Sequence, residues 1–440
     1  MNNKERMDLA KWVMEYTLKA GAGETSISVS NAREIEIGYR DRKLEKLKES
    51  TQNSLSLQIY IDNRYSGHTT NDLRRDRLKP FIEEAVASTK YLAKDEFRKL
   101  PDPKLYPAKI SGDLDLTDKS FNSVQTDARI KIAKEIEESA MGLSDKIISV
   151  STGYGDSYSE SVLVNSNGFE GSSESTIFSA GAEVTVRDGD KGRPEDYDWA
   201  VTRFYNDLPK PNILGKNAVE RALKKIGQKK IESGQYKMLV ENRAASRLLG
   251  ILQGPLSARA LQQKSSYLEG MLDKKIASEK LTIIDDPGIK QGLGSREFDG
   301  EGIASKKRVI IDKGILKQYY IDNYYGRKLG MEPNGGSSSN VIFEYGTRSL
   351  DEMIKSMNKG ILVNGFIGGN SNSTTGDFSF GIVGLLIENG EITTAVNEMN
   401  ISGNAKDFWN RLVEMGNDPY PYSSWKRPSM LFDSIAFSGI

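Results

Sequence analysis

The stretch Gly360–Gly384, GILVNGFIGGNSNSTTGDFSFGIVG, limits what this chain can fold into more than any other. Seven of its 25 residues are glycine, where the chain average of 41 in 440 gives about two. Ile361, Leu362, Val363 and Phe366 precede the central glycines, and Phe378, Phe380, Ile382 and Val383 follow them. Flexible linkers lack β-branched and aromatic flanks of this kind. The stretch therefore reads as two buried strands joined by a tight polar loop, Asn370 to Asp377. Glycine inside strands marks bulges or a close backbone approach, so the stretch reads as the floor of a groove.

Composition restricts the chemistry such a groove can hold. Lys+Arg and Asp+Glu are both 61, so the net charge is zero and no basic face points to nucleic acid. The mixed run Arg40–Lys48 reads as a solvated face. With no cysteine, disulfides and thiolate metal sites are excluded. The single histidine, His68, reads as a loop or strand-end residue, because most imidazole sites need two or more. The charged N-terminus has no signal-peptide core and no window is apolar enough for a span, so a cytoplasmic, soluble protein without a membrane partner is expected.

Periodicity places the fold in the α+β class. A helix over Met7–Ala20 is followed by period-2 strands carrying Ile27 and Val29, Ile35 to Tyr39, and Leu55 to Ile61. A second helix with Leu78, Ile82 and Ala85 on one side follows, capped by Asn71 or Asp72. This gives an N-terminal helix–sheet–helix domain over residues 1–107, closed by PDPKLYP. A middle region, 108–230, pairs a helix over Thr126–Met141 with a β-meander. Its strands are Ile147–Tyr154, Ser161–Asn165, Phe169–Glu174 and Thr176–Arg187, with a hairpin at Asn167-Gly168. A charged loop, Asp188–Asp198, and a helix over Ala218–Ile226 close this region. Residues 231–440 form a β-rich C-terminal domain bounding a groove or cavity. Its hairpins turn at Lys313-Gly314 and Asn389-Gly390, a possible internal repeat, and its loop Asn334–Asn340 reads as mobile.

No catalytic residue emerges from the motifs. Gly368-Gly369-Asn370 and Gly292-Leu293-Gly294 do not fit a strand–loop–helix phosphate cradle. Ser371, Ser373, Thr374 and Thr375 have only a distant histidine as base. Asp285 and Asp286 point to opposite faces of a strand, and Asp286-Pro287-Gly288 reads as a turn. Asp299 and Glu301 remain as a pair that could bind a hard cation or act as acid and base.

The segments GILVNGFIGG, TGDFSFG, LIENGEI, VNEMNISGN, GND and PSMLFDSIAFSG, together with LSARALQQKSSYL, KKIASEKLTIIDDP, SREFDGEG and SGHTTND, resemble the TldD/PmbA family, once called modulators of DNA gyrase. One branch of that family carries a zinc-binding HExxxH helix and a further cysteine ligand near the C-terminus. The matching positions here are Gly250, Ile251 and Pro255, and Gly416–Pro428 contains no cysteine. The chain thus looks like the TldE/PmbA branch, which lacks the metal site. The resemblance implies a heterodimer with a TldD-type catalytic subunit that holds the zinc, with peptides and unfolded segments as substrate. It implies no metal, no cofactor and no catalytic residue in this chain. A homodimeric peptide-binding protein without a proteolytic role is the alternative. Gly368, Gly369, Asn370, Thr375, Gly376 and Asp377 are the candidate peptide-binding residues, against a purely structural role for the same loop.

Overall fold

The computed structural model describes residues 1–440. Helix α1 (Asn3–Lys19) starts at a reciprocal capping box. Asn2 accepts from the Glu5 amide at 2.9 Å, and Glu5 accepts from the Asn2 amide at 2.8 Å. Strands β1 (Glu24–Arg40), β2 (Lys43–Ile61) and β3 (Arg64–Thr70) follow, then α2 (Arg75–Thr89). Helix α2 begins after Arg74, later than Asn71 or Asp72 would set it, because Asp72 spends its carboxylate on the Arg74 amide and guanidinium.

Beyond Pro101–Pro107 come α3 (Thr126–Met141), β4 (Ile147–Asn165), β5 (Phe169–Val186), β6 (Glu195–Thr202) and α4 (Pro211–Leu223). Helix α4 starts well ahead of the expected Ala218–Ile226, because Pro211 opens its first turn. The break at Pro101–Pro107 does not interrupt the sheet. β1 pairs with β4 from Ser26↔Asn165 to Arg40↔Ser151, giving one six-stranded sheet in the order β3-β2-β1-β4-β5-β6. Ile27, Val29, Ile35, Ile37 and Tyr39 of β1 and Val150, Tyr154, Val162 and Val164 of β4 are buried at alternate positions on one face. Helices α1 and α2 cover one half of that face and α3 and α4 the other. The opposite face carries Ser28, Ser30, Ser157, Ser159, Ser173 and Ser175, half-buried or exposed.

β4 and β5 are each one long strand, where the sequence pattern suggested two. Glycines and serines erase the apolar alternation, but Trp199 of β6 fills the gaps they leave. A Cβ at Gly181 would lie 2.6 Å from the Trp199 ring and one at Gly153 2.8 Å from it. The charged run Asp188–Asp198 is likewise only partly loop. It becomes β6 at Glu195, and Asp196 turns inward to Lys225 at 3.1 Å and Arg221 at 3.4 Å.

The C-terminal part runs through β7 (Gly234–Val240), α5 (Ser246–Gln253) and α6 (Ala258–Gln262) into a smaller sheet. That sheet contains β8 (Ile283–Asp285), β9 (Arg308–Asp312), β10 (Ile315–Leu316) and, after α7 (Asn323–Leu329), β11 (Val341–Phe343). β12 (Lys359–Ser371), β13 (Asp377–Glu388), β14 (Glu391–Asn404) and β15 (Leu412–Met415) follow. β16 (Trp425–Lys426) completes the smaller sheet beside β11, and β17 (Met430–Ser438) returns to the larger one.

The larger sheet closes into a barrel. β14, β13, β12, β7 and β17 pair in turn, and Ile401 of β14 pairs with Phe437 of β17. Closure leaves the interior to side chains. Phe378, Phe380, Phe408, Trp409 and Phe432 pack in one core with α5 and the smaller sheet, each no more than 5% exposed, with the Phe408 and Phe432 rings stacked 4.5 Å apart. No helix is long and apolar enough to cross a membrane.

The loop Asn334–Asn340 is fastened, contrary to its polar and glycine-rich composition. Arg308 donates to the Asn334 side chain at 2.8 Å and to the Ser337 carbonyl at 2.7 Å, and Arg296 donates to the Ser338 carbonyl at 3.0 Å. Ser339 and Asn340 are buried. Two arginines remote in sequence supply the bonds that the loop's own composition cannot.

Candidate functional site

β12 starts as a buried strand, with Ile361, Leu362 and Val363 inside, and ends exposed from Ile367 to Ser371. The reading of the stretch as two buried strands thus holds for its inner half only. β7 explains the change. It pairs with β12 in parallel from Gly360 to Val363 and then turns away into α5, leaving the edge from Asn364 to Ser371 without a neighbouring strand.

Two irregularities shape that edge. The register with β13 slips at Asn364, whose side-chain oxygen is buried without a hydrogen-bond partner. It slips again at Gly368 and Gly369, which have φ of +57° and +78°. At Gly369 a Cβ would sit 2.1 Å from the Ser379 carbonyl oxygen, so only glycine fits. The two bulge carbonyls are taken up by Arg247 of α5, whose Nη2 donates to Gly368 at 3.0 Å and to Gly369 at 3.1 Å. The same guanidinium stacks 4.5 Å above the Phe380 ring.

The loop at the far end is a knot of local bonds. Thr375 Oγ1 donates to Asp377 at 2.7 Å, and Asn404 Nδ2 donates to Asp377 at 2.9 Å and to the Thr375 carbonyl at 3.0 Å. The Thr375 hydroxyl, then Asn404, holds the Asp377 carboxyl below the usual carboxylate range. Gly376 is buried with φ +89°. The loop lies against the end of α5. Tyr267 N donates to the Ser373 carbonyl at 2.8 Å, and a Cβ at Gly254 would be 3.5 Å from Ser373 Oγ.

The structure thus joins two sets of residues that the sequence kept apart. Gly368 and Gly369 form the bulge, Asn370 pairs with Ser379 beyond it, and Thr375, Gly376 and Asp377 form the knot. All of them line the same side as α5, the helix holding Gly250 and Ile251. Leu248, Leu249, Ile251 and Leu252 of α5 are buried, while Arg247, Gly250, Gln253 and Gly254 are exposed. Gly250 faces open space, Ile251 faces the core, and Pro255 is buried past the helix end. These residues do not fit zinc, because none offers a donor atom on its side chain. No three His, Asp or Glu side chains converge elsewhere to hold a metal ion. His68 lies on β3 with Nε2 2.9 Å from Ser66 Oγ.

Arg247 and Asn364 escaped sequence reasoning. Arg247 bonds backbone carbonyls about 120 residues away, and no pattern signals such a partner. Asn404 carried a weak signal, since it closes the segment VNEMNISGN.

The other carboxylates have structural partners. Asp285, fully buried, receives two bonds from Arg308 at 2.8 and 3.0 Å and one from the Ser339 amide at 2.7 Å. Asp286 accepts from the Gly288 amide at 2.9 Å in the expected turn. Asp299 accepts from the amides of Glu301 and Ile303 at 2.9 Å, although burial still holds its pKa up. Burial also pushes Glu301 up to about 7, against one bond from the Asn323 amide at 3.2 Å. Glu301 sits where the C-terminal part meets the N-terminal unit. Asn165 donates to its carbonyl at 2.9 Å, and Asn323 of α7 donates to the Lys99 carbonyl at 2.7 Å.

Residues 119–226 match the PmbA/TldA metallopeptidase central domain and residues 233–439 the C-terminal domain of the same family. The chain is 30% identical to the metalloprotease PmbA of Escherichia coli O157:H7, over 94% of this chain and 92% of that protein. It is 26% identical to a PmbA homologue of Haemophilus influenzae, over 99% and 96%. A proposed modulator of DNA gyrase from Bacteroides thetaiotaomicron has the same fold, with a TM-score of 0.97 and 44% identity over the whole of both chains. TldE from Thermococcus kodakarensis shares the fold with a TM-score of 0.87 over 98% of this chain and all of that one, at 23% identity. This chain, with its closed barrel and its glycine bulge set against α5, belongs to the PmbA/TldD family.

Proposed function

We propose that this chain is the non-catalytic, TldE-like subunit of a cytoplasmic zinc metallopeptidase complex. It holds an extended peptide or unfolded segment while a TldD-type partner supplies the zinc. The observation that carries this reading is the donor set of α5. Where the catalytic branch of the family needs His, Glu and His, this chain has Gly250, Ile251 and Pro255, and the whole chain has one histidine and no cysteine. Its own residues therefore carry no step of the hydrolysis.

The unpaired edge of β12 supports a role in holding substrate. An added strand continues the row that β7 vacates and satisfies its backbone through the ladder, whatever its side chains. The neutral overall charge gives no support to a nucleic-acid role despite the gyrase names among its relatives.

Tagged pull-down from the native cell, followed by peptidase assays with and without chelator, tests the reading. Capture of a chain bearing HExxxH, with chelator-sensitive activity appearing only in the pair, is the expected result. Stoichiometric zinc and peptidase activity in the purified chain alone would overturn it.

A further inference from the structure

Arg247 has no carboxylate partner within ion-pair distance, unlike the inward-turned arginines Arg6, Arg129, Arg221, Arg243 and Arg308. It is nevertheless held in place. One nitrogen, Nη2, is fixed by the two bulge carbonyls, and its plane rests on Phe380. Nε and Nη1 make no hydrogen bond within the protein, and the residue is exposed. An exposed arginine with free donors, already immobilised, is preorganised for a planar anion. It stands at one end of the unpaired β12 edge. The open edge runs back from Gly368 to Asn364, where β7 turns away. The span between them is about 13 Å at 3.3 Å per residue, enough for about four residues of extended chain.

We infer that this edge takes the carboxyl terminus of a peptide. The terminal carboxylate pairs with Arg247, and the residues before it run along the backbone edge that β7 leaves open. This rests on the peptide-holding role proposed above and adds to it a substrate class, chains presenting a free C-terminus, and a direction of entry. The ligand chemistry is a carboxylate joined to an extended backbone. An internal peptide segment offers the second but not the first.

The test compares two forms of one N-terminally labelled octapeptide of alternating Val and Ser, ending in a free acid or in an amide. Fluorescence anisotropy with the full chain reads both affinities at pH 7 and low salt. The acid is expected to bind at least about tenfold more tightly, the ratio given by one modest charge-assisted bond. Arg247→Gln is expected to bring the ratio close to one by weakening the acid far more than the amide. Equal binding of acid and amide to the unaltered protein would overturn the C-terminal inference and leave the peptide-holding role standing. Failure of both forms to bind would remove that role and this inference with it.

Discussion

At the scale of the residue, single backbone geometries and single buried charges decide most. Gly369 is irreplaceable because the space for a Cβ is already occupied by the Ser379 carbonyl. Gly369→Val is expected to lower stability by roughly 1–3 kcal/mol, read by urea denaturation, and to reduce peptidase activity of the reconstituted pair. Gly368 faces open space, so Gly368→Ala pays only for its positive φ and should stay within about 1–2 kcal/mol. Asp285 is a different case. With its two bonds from Arg308 buried, Asp285→Ala leaves an uncompensated guanidinium, and a loss of about 3–5 kcal/mol is expected in the same measurement. The sequence offered Gly369 as a candidate through composition alone. It offered nothing about Arg308, whose partner is 23 residues away on a neighbouring strand.

At the scale of the element, turns were the most legible features and strand lengths the least. Lys313-Gly314 and Asn389-Gly390 both have positive φ at two successive positions, the backbone a two-residue hairpin requires. The two hairpins resemble each other but sit in different sheets, so their likeness is one of turn chemistry. β4 and β5 misled because a strand facing Trp199 needs glycine where a pattern search wants an apolar side chain. β12 is the element on which the proposed peptide-holding role turns. Its inner half is held on both sides and its outer half on one. Hydrogen exchange of the amides within 365–367 that face away from β13 is therefore expected to be fast in the free chain and to slow on addition of an extended peptide, while 361–363 stay protected throughout. Unchanged exchange at 365–367 under saturating peptide would argue against strand addition there.

At the scale of the whole molecule, two bodies built on different sheets meet across a seam both apolar and polar, with Phe298 packed on Phe169 and Arg221 paired with Glu241. Tyr324 of α7 donates to Asp95 at 2.6 Å, Arg98 lies 3.5 Å above the Tyr324 ring, and Arg327 donates to the Leu100 carbonyl at 2.9 Å. Glu301 belongs to this seam. Its pKa of about 7 in the folded chain lies above the ordinary value of 4.5, so the folded state binds the extra proton between those limits. The sign follows: stability attributable to Glu301 is full below pH 4.5 and falls as pH rises toward 7, by an amount of order 3 kcal/mol. Thermal melting from pH 4.5 to 8 is expected to show a decline that Glu301→Gln flattens. An identical slope in the variant would show that the seam does not titrate through this residue.

The sequence by itself determined the α+β class, the hairpin turns, the helices α1 and α3 and the absence of donors for zinc at Gly250, Ile251 and Pro255. These depend on local periodicity, turn chemistry and residue identity, which a linear chain states directly. Only the tertiary structure decided that one sheet crosses the break at Pro101–Pro107, that the barrel closes through Ile401 and Phe437, and that Arg247 holds the bulge at Gly368 and Gly369. Each of these is a pairing between backbone groups or charges far apart in the chain. Backbone amides and carbonyls are alike at every position, so the residues carry no mark of which distant partner they will meet.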